Sequence, residues 1–334
     1  MNMCHRSPVV RVLGLTALCF AAALGSGLGF SPQSAMRSPH AAGPNELGKV
    51  PILEYHLIQP EETRWGRSIT HFREDLELLY RSGYRPVGMG DYISGKMALP
   101  EGTRPVIFTF DDSSEGQFRY LARNGRREID SDCAVGILMD FHKKHPDFGL
   151  KAIFFVLPEA KEPHKLFGQP EYEAEKLRQL VALGFEIGNH TLWHATLSKY
   201  DAQTVQKQLA LAVKEISTMV PGYVPHVLAL PLGVYPKDPN LAVRGSYKGV
   251  SYQNDAILEV AGGAAPSPFS RKRDLEHLHR IQVTGRELEV WVKRLQAGEG
   301  GYISDGKDDT VTYPLALAAD ANPSRFPGLH FVSY

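Results

Sequence analysis

From Pro51 onward the chain alternates short apolar, strand-like runs with amphipathic, helix-like stretches, and this alternation limits the folds open to it more than any other feature. Ala152-Ile153-Phe154-Phe155-Val156-Leu157 is apolar throughout, as a strand covered on both faces is. Val50 to Tyr55, Val106 to Phe110, Phe185 to Gly188, Val227 to Leu230 and Ile281 to Val283 read as further strands. Helical faces lie between them. Thr70 is placed to cap one with Phe72, Leu76, Leu79 and Tyr80 on its apolar side, and Gly83 to end it. Val135, Leu138, Met139 and His142 share a second face, closed by Pro146; Leu177, Leu180 and Val181 form a third, stopped by Gly184. Asp201 caps a long helix carrying Val205, Leu209, Ala212, Ile216 and Val220, and Arg286 to Leu295 forms a late one. Repeated βα units of this kind imply an α/β fold with a parallel sheet and right-handed crossovers. The Gly-, Pro- and Ser-rich stretch from Tyr235 to Lys272 predicts a long irregular loop.

The N-terminus stands apart. Arg6 and Arg11 precede an apolar stretch from Val12 to Leu24, followed by Gly25-Ser26-Gly27. The stretch has the length of a signal-peptide core and is short for a membrane span, so residues 1–30 are predicted to be an export signal, with a tether to the membrane as the alternative. Residues 31–48 read as a linker and 49–334 as one domain. The expected location is therefore outside the cytoplasm. Basic and acidic side chains balance at 37 each, which gives no basis for electrostatic capture of nucleic acid. Two of the three cysteines lie in the signal, so the remaining Cys133 has no partner for a disulfide and reads as a packed residue.

Two segments carry the chemistry. Thr109-Phe110-Asp111-Asp112 ends one predicted strand with adjacent carboxylates, and Ser113-Ser114-Glu115-Gly116 supplies the turn that lets both serve one site. His190-Thr191-Leu192-Trp193-His194 follows another strand with two imidazoles four residues apart, a spacing that puts both on one face of a helical turn. In parallel α/β architectures, sites form at the carboxyl ends of strands. One carboxylate and two histidines suit a divalent metal with open positions, zinc by default, though Co, Ni, Fe or Mn accept the same donors. The second carboxylate is then free to act as a base, which is the layout of metal-assisted hydrolysis. Taken singly, each of these residues has a structural explanation; it is the pairing that favours a site.

In these segments the chain resembles the polysaccharide deacetylases (the NodB homology domain, carbohydrate esterase family four). Thr-Phe-Asp-Asp and His-Thr-x-x-His occur in that family's order, and Pro51-Ile52-Leu53-Glu54-Tyr55-His56 is similar to its opening strand. The resemblance implies a distorted (β/α) barrel and an amide hydrolase, with Asp111 as catalytic base and Asp112, His190 and His194 as metal ligands. It also implies an N-acetylated polysaccharide or oligosaccharide as substrate. Of the family's Arg-Pro-Pro-Tyr-Gly motif, Ala229-Leu230-Pro231-Leu232-Gly233 keeps the Pro and Gly, so the Leu232 N–H is the expected oxyanion donor. The motif's Arg, which would hold the base, is replaced by Ala229, and the Gly that follows the Asp pair is replaced by Ser113. For the general acid, His279 leads His277 and His56 because it adjoins the strand Ile281 to Val283. Two other readings share these residues: a non-catalytic carbohydrate-binding barrel, and an amidase for a small cyclic amide.

Overall fold

The computed structural model describes residues 43–123, 125–297 and 300–334. The predicted signal, and most of the predicted linker, lie outside these residues. Among the described residues no helix is long and apolar enough to cross a membrane.

Seven parallel strands form the centre: β1 (Ile52–Tyr55), β2 (Arg104–Phe110), β3 (Ile153–Val156), β4 (Glu186–Asn189), β5 (Val227–Ala229), β6 (Ala256–Gly262) and β7 (Leu278–Gln282). Each pairs with its successor from β2 to β7, and β1 pairs with both β7 (Leu53↔Ile281) and β2 (Leu53↔Phe108), which closes the barrel. Closure leaves no exposed edge, and parallel pairing gathers all seven carboxyl ends at one rim. The barrel is irregular: the β6–β7 register shifts between Leu258 and Gly262, and the short strand Tyr84–Pro86 pairs outside the ring with the first half of β2.

Alternation along each strand sorts side chains into two layers. Ile52, Ile107, Ile153, Phe155, Val227, Ala229, Ala256, Leu258 and Leu278 belong to the cluster that fills the barrel. Leu53, Tyr55, Phe108, Phe110, Phe154, Ile187 and Ile281 turn the other way and pack under helices α1 (Ile69–Arg81), α2 (Ala134–Lys144), α3 (Glu173–Ala182) and α5 (Glu287–Ala297). Phe154 is the centre of that outer layer, stacked on Phe110 at 4.8 Å and edge-on to Phe185 at 5.5 Å. Inside, Phe155 lies opposite Gly188, where a Cβ would come within 2.3 Å of the ring, so only glycine fits. The 18-residue helix α4 (Ala202–Met219) covers β5 and β6 through a separate cluster that includes Leu209, Leu228 and Ile257.

Most expected elements are present within a residue or two of their predicted bounds. Asp201 caps α4, accepting from Thr204 N at 2.8 Å. The α1 cap is Ser68 rather than Thr70, accepting from His71 N at 3.1 Å. Two expectations fail. Tyr235 to Lys272 is no irregular loop: it holds barrel strand β6 and a hairpin of Arg244–Tyr247 with Val250–Gln253. Its glycines sit at the ends of these elements, and the apolar Ala256-Ile257-Leu258 run inside them carries the strand. Asn45 to Gly48, placed in the linker by composition, are part of the domain, since Asn45 pairs with Ile303 and Lys49 with Gly301.

That N-terminal segment and residues 300–334 cover the amino ends of the strands, opposite the site rim; Ser304 N donates to Thr103 O at 2.9 Å. Buried Glu46 joins the two, accepting from Tyr302 Oη at 2.9 Å and Thr312 N at 2.8 Å. Burial pushes its carboxyl up to about 7 against these hydrogen bonds. A carboxyl that holds its proton more tightly folded than unfolded gives highest stability at low pH. That contribution falls between the unfolded value of 4.5 and about 7. Urea unfolding from pH 4.5 to 8 is expected to show this decline, and Glu46→Gln to flatten it.

Candidate active site

The site stands on the carboxyl rim, one residue beyond several strands. Asp111 follows the last residue of β2, His190 that of β4, and His56 that of β1, while Arg280 projects inward from β7 itself. Arg280 is fully buried, and it decides the electrostatics. Its Nη1 donates to Asp111 Oδ1 at 2.8 Å and its Nη2 to Asp111 Oδ2 at 2.8 Å, a two-pronged pair. Nη1 also donates to Thr109 Oγ1 at 3.0 Å and Nε to Glu259 O at 2.7 Å, so the guanidinium is locked in place. Burial alone would raise the Asp111 carboxyl; Arg280 and the neighbouring histidines outweigh burial and hold it below its ordinary value. Asp111 is therefore an ionised carboxylate held in a fixed orientation.

The arginine missing at Ala229 is thus supplied from another strand. Ala229 does keep a task, since its carbonyl accepts from His190 Nδ1 at 2.8 Å. A carbonyl can only accept, so in the neutral ring Nδ1 carries the proton and Nε2 presents its lone pair to the cavity. There Asp112 Oδ1 lies 3.3 Å from His190 Nε2 and 3.5 Å from His194 Nε2. This oxygen is buried and accepts no hydrogen bond. Three electron-pair donors converging without a proton between them fit a divalent cation, and these three residues group their ligand atoms within 4.8 Å. The field agrees. Burial opposes charge on His190, yet Asp111 and Asp112 raise its pKa, while burial, with charge from His190, lowers that of His194.

The histidine pair converges by a different backbone from the one expected. Thr191 and His194 have φ of 70° and 63°, so the segment is an irregular turn and not a helical one. Asn189 Oδ1 accepts from Thr191 N at 2.8 Å and Thr191 Oγ1 from Ala195 N at 3.0 Å, which holds the turn. Asp112 and Ser113 are also left-handed, at 75° and 43°. Ser113 offsets that cost through its hydroxyl, which donates to His164 O at 2.8 Å and accepts from Leu157 N at 3.1 Å. The serine that replaces the expected glycine thereby fixes the neighbouring loop. Leu232 is left-handed as well, at φ 60°, and lines the same cavity as His56, Asp112, His190 and His194.

The ordering of candidate acids changes. His279 and His277 both pair with Glu259, at 3.5 and 3.0 Å, and neither lines that cavity. Since Arg280 faces inward, its neighbour His279 must face out. His56 lies in the cavity, with Nε2 3.4 Å from Glu54 Oε1 and its ring 5.2 Å from that of Trp65. Burial lowers the His56 pKa despite nearby Asp111. Glu54, absent from the expected set, is buried beneath with no hydrogen bond and 3.4 Å from Arg280 Nη2; burial, aided by Asp111, pushes it up to about 8 against Arg280. Between β2 and β3 the chain forms a hairpin (Tyr120–Arg123 with Arg126–Ile129) and helix α2. Cys133, at the start of α2, is buried, and burial raises its thiol pKa.

Residues 99–247 match the family model for polysaccharide deacetylase. Over this stretch the chain is similar to the polysaccharide deacetylases. A chitooligosaccharide deacetylase from Bradyrhizobium sp. (strain ANU 289) is 28% identical over 137 residues, 41% of this chain and 50% of that protein. The match thus spans about half the length of that curated relative. Among solved structures, the Streptococcus pyogenes deacetylase PplD in complex with acetate aligns with a TM-score of 0.54 at 17% identity, over 72% of this chain and 95% of its own. IcaB from Ammonifex degensii aligns with a TM-score of 0.52 at 17% identity, over 74% and 97%. At this identity the two structures show a shared fold. The matched stretch contains Asp111, Asp112, His190, His194 and Leu232, but ends before Arg280 and begins after His56.

Arg280→Met leaves the Asp111 carboxylate buried without its partner. Unfolding free energy is expected to fall by about 3–5 kcal/mol in urea titrations. Arg280→Lys is expected to recover only part of this, because an ammonium lacks the planar fork. Elemental analysis of protein loaded with a divalent ion is expected to find one ion per chain, and most of it lost in Asp112→Ala, His190→Ala and His194→Ala.

Proposed function

We propose that this protein is an exported, metal-dependent hydrolase that removes acetyl groups from the nitrogen of an amino-sugar polymer or oligomer. The observation that carries the reading is the convergence of Asp112, His190 and His194 beside Asp111, a base oriented by Arg280. The name of the Bradyrhizobium relative supports the substrate class, and the apolar segment from Val12 to Leu24 supports export. A divalent ion held by Asp112, His190 and His194 supplies Lewis-acid polarisation of the acetyl carbonyl and acidifies water. The chain's own groups do the rest. Asp111 accepts the proton of the attacking water, and the Leu232 N–H donates to the developing oxyanion. His56 gives a proton to the nitrogen as the C–N bond breaks, leaving acetate and a free amine.

Arg280 removes the main argument for a non-catalytic barrel, which rested on the arginine absent at Ala229. Acetate release from chitooligosaccharides, peptidoglycan and exopolysaccharide by the metal-loaded protein tests the reading; no release from any of them refutes it. Asp111→Asn is expected to reduce turnover by about a hundredfold or more while metal content stays near normal. The reverse, loss of metal in Asp111→Asn with metal kept in Asp112→Asn, would mean that the two roles are exchanged. A histidine acid loses its proton as pH rises, so activity falls on the alkaline side; because burial lowers the His56 pKa, that fall is expected to begin at a lower pH than an ordinary histidine would set. His56→Ala is expected to remove that limb and to lower the rate by about a hundredfold. His277→Ala and His279→Ala should keep both rate and profile.

A further inference from the structure

The carboxyl rim holds the reacting groups, yet the opposite end of the barrel carries a cavity of its own, about 560 Å³. It lies where the N-terminal segment, the loop after the helix Met89–Ser94 and residues 300–334 meet. Its floor is polar: Glu46 and Tyr302 are both buried, and Tyr302 Oη donates to Glu46 Oε1 at 2.9 Å. One wall is aromatic. Phe269 and Phe326 meet edge-on at 5.1 Å. Gly95, at φ 74°, lets both rings reach its backbone, since a Cβ there would come within 2.6 Å of Phe326 and 3.0 Å of Phe269. Met97 and Leu329 extend this apolar surface. Hydrogen bonds fix the walls: Leu329 N donates to Phe326 O at 3.0 Å, Lys96 N to Asp91 O at 2.9 Å and Ser304 Oγ to Leu99 O at 3.1 Å.

Charge at the mouth is one-sided. Lys96, Lys307 and Arg325 line the cavity, against one exposed acid, Asp308. Among the described residues none of the three cations is held in an ion pair or a side-chain hydrogen bond. Glu46, the other acid, is pushed up to about 7 by burial, so it offers them little counter-charge. Behind the aromatic wall Arg273 lies 5.7 Å over the Phe326 ring, and burial, with charge from Arg325, lowers its pKa. Cations gathered around one concave surface without a counter-charge create a potential that attracts an anion.

We propose that this cavity is a second binding site, which takes a small aromatic carboxylate: its ring lies against Phe269 and Phe326, and its carboxylate meets Lys96, Lys307 and Arg325. Ring-on-ring contact in offset or edge-on geometry adds to the burial of an aromatic body. Charge-assisted hydrogen bonds from ammonium and guanidinium groups suit a carboxylate better than any neutral acceptor. A volume of this size falls in the range of about 300–1,000 Å³ that small-molecule sites occupy, and an apolar wall with a few convergent polar groups is their usual lining. The site stands at the far end of the barrel from Asp111 and the ligand set, so it does not rest on the deacetylase reading.

The test is calorimetric titration of the metal-loaded protein with naphthoate and with naphthamide, its uncharged analogue. Naphthoate is expected to bind about tenfold more tightly than the amide. Lys96→Met/Lys307→Met changes two exposed positions and leaves the fold intact; it is expected to bring the two probes within about threefold of each other. Phe326→Ala is expected to weaken both probes about tenfold and to keep their ratio. Equal affinity of the wild-type protein for the two probes overturns the proposal, as does the absence of naphthoate binding at about 1 mM. A ratio that survives in the Lys96→Met/Lys307→Met protein also overturns it, and is the result expected if naphthoate binds at the metal on the other rim instead. Should Phe326→Ala unfold the protein, Phe326→Leu takes its place, and undiminished affinity for both probes there overturns the aromatic wall and the proposal with it.

Discussion

The pairing of Arg280 with Asp111 is the interaction on which the site depends. The two residues are 169 positions apart, and they meet only because the barrel closes, setting β7 beside β1 and β1 beside β2. Either charge alone in that interior would be expensive, several kcal/mol by the usual cost of an unpaired buried ion. Together, with Thr109 and the Glu259 carbonyl accepting from two further donors of the guanidinium, they form a fixed unit. Closure of the barrel and ionisation of Asp111 are therefore one event.

That unit organises the polar end of an otherwise apolar barrel. Below it lie Phe155 and the aliphatic layer; above it, acids and imidazoles alternate around the rim. Glu54 shows how finely this is balanced. It sits beside the same arginine, but Asp111 holds the two-pronged contact; burial, aided by Asp111, pushes Glu54 up to about 8 while Asp111 stays ionised. Environment gives two neighbouring carboxyls opposite states, and only one of them is suited to accept a proton near neutral pH.

Backbone conformation completes the site. Among the described residues, eight that are not glycine have positive φ, and five of them, Asp112, Ser113, Thr191, His194 and Leu232, lie on the loops that form it. Each costs free energy relative to an ordinary conformation. Their concentration where strands β2, β4 and β5 end shows the chain turning sharply to aim side chains and N–H groups into one cavity. Local hydrogen bonds from Asn189, Thr191 and Ser113 offset this cost.

The sequence alone determined the α/β alternation, the strands β1 to β5 and β7, and the two segments that bear Asp111, Asp112, His190 and His194. Those features are local: hydrophobic period, caps and short spacings are written in consecutive residues. Strand β6 was hidden because its apolar run is framed by glycines that, read in line, signal a loop. The helical spacing of His190 and His194 was legible, but the left-handed turn that joins them was not, since its stability comes from side chains accepting backbone hydrogen bonds. Only the tertiary structure decided that Arg280 replaces the arginine absent at Ala229, that His56 faces the cavity while His279 faces away, and that Glu54 lies under both. These are matters of which strand neighbours which and which way an alternating side chain points. Barrel closure sets the first and register the second, and neither is encoded in any stretch short enough to read by itself.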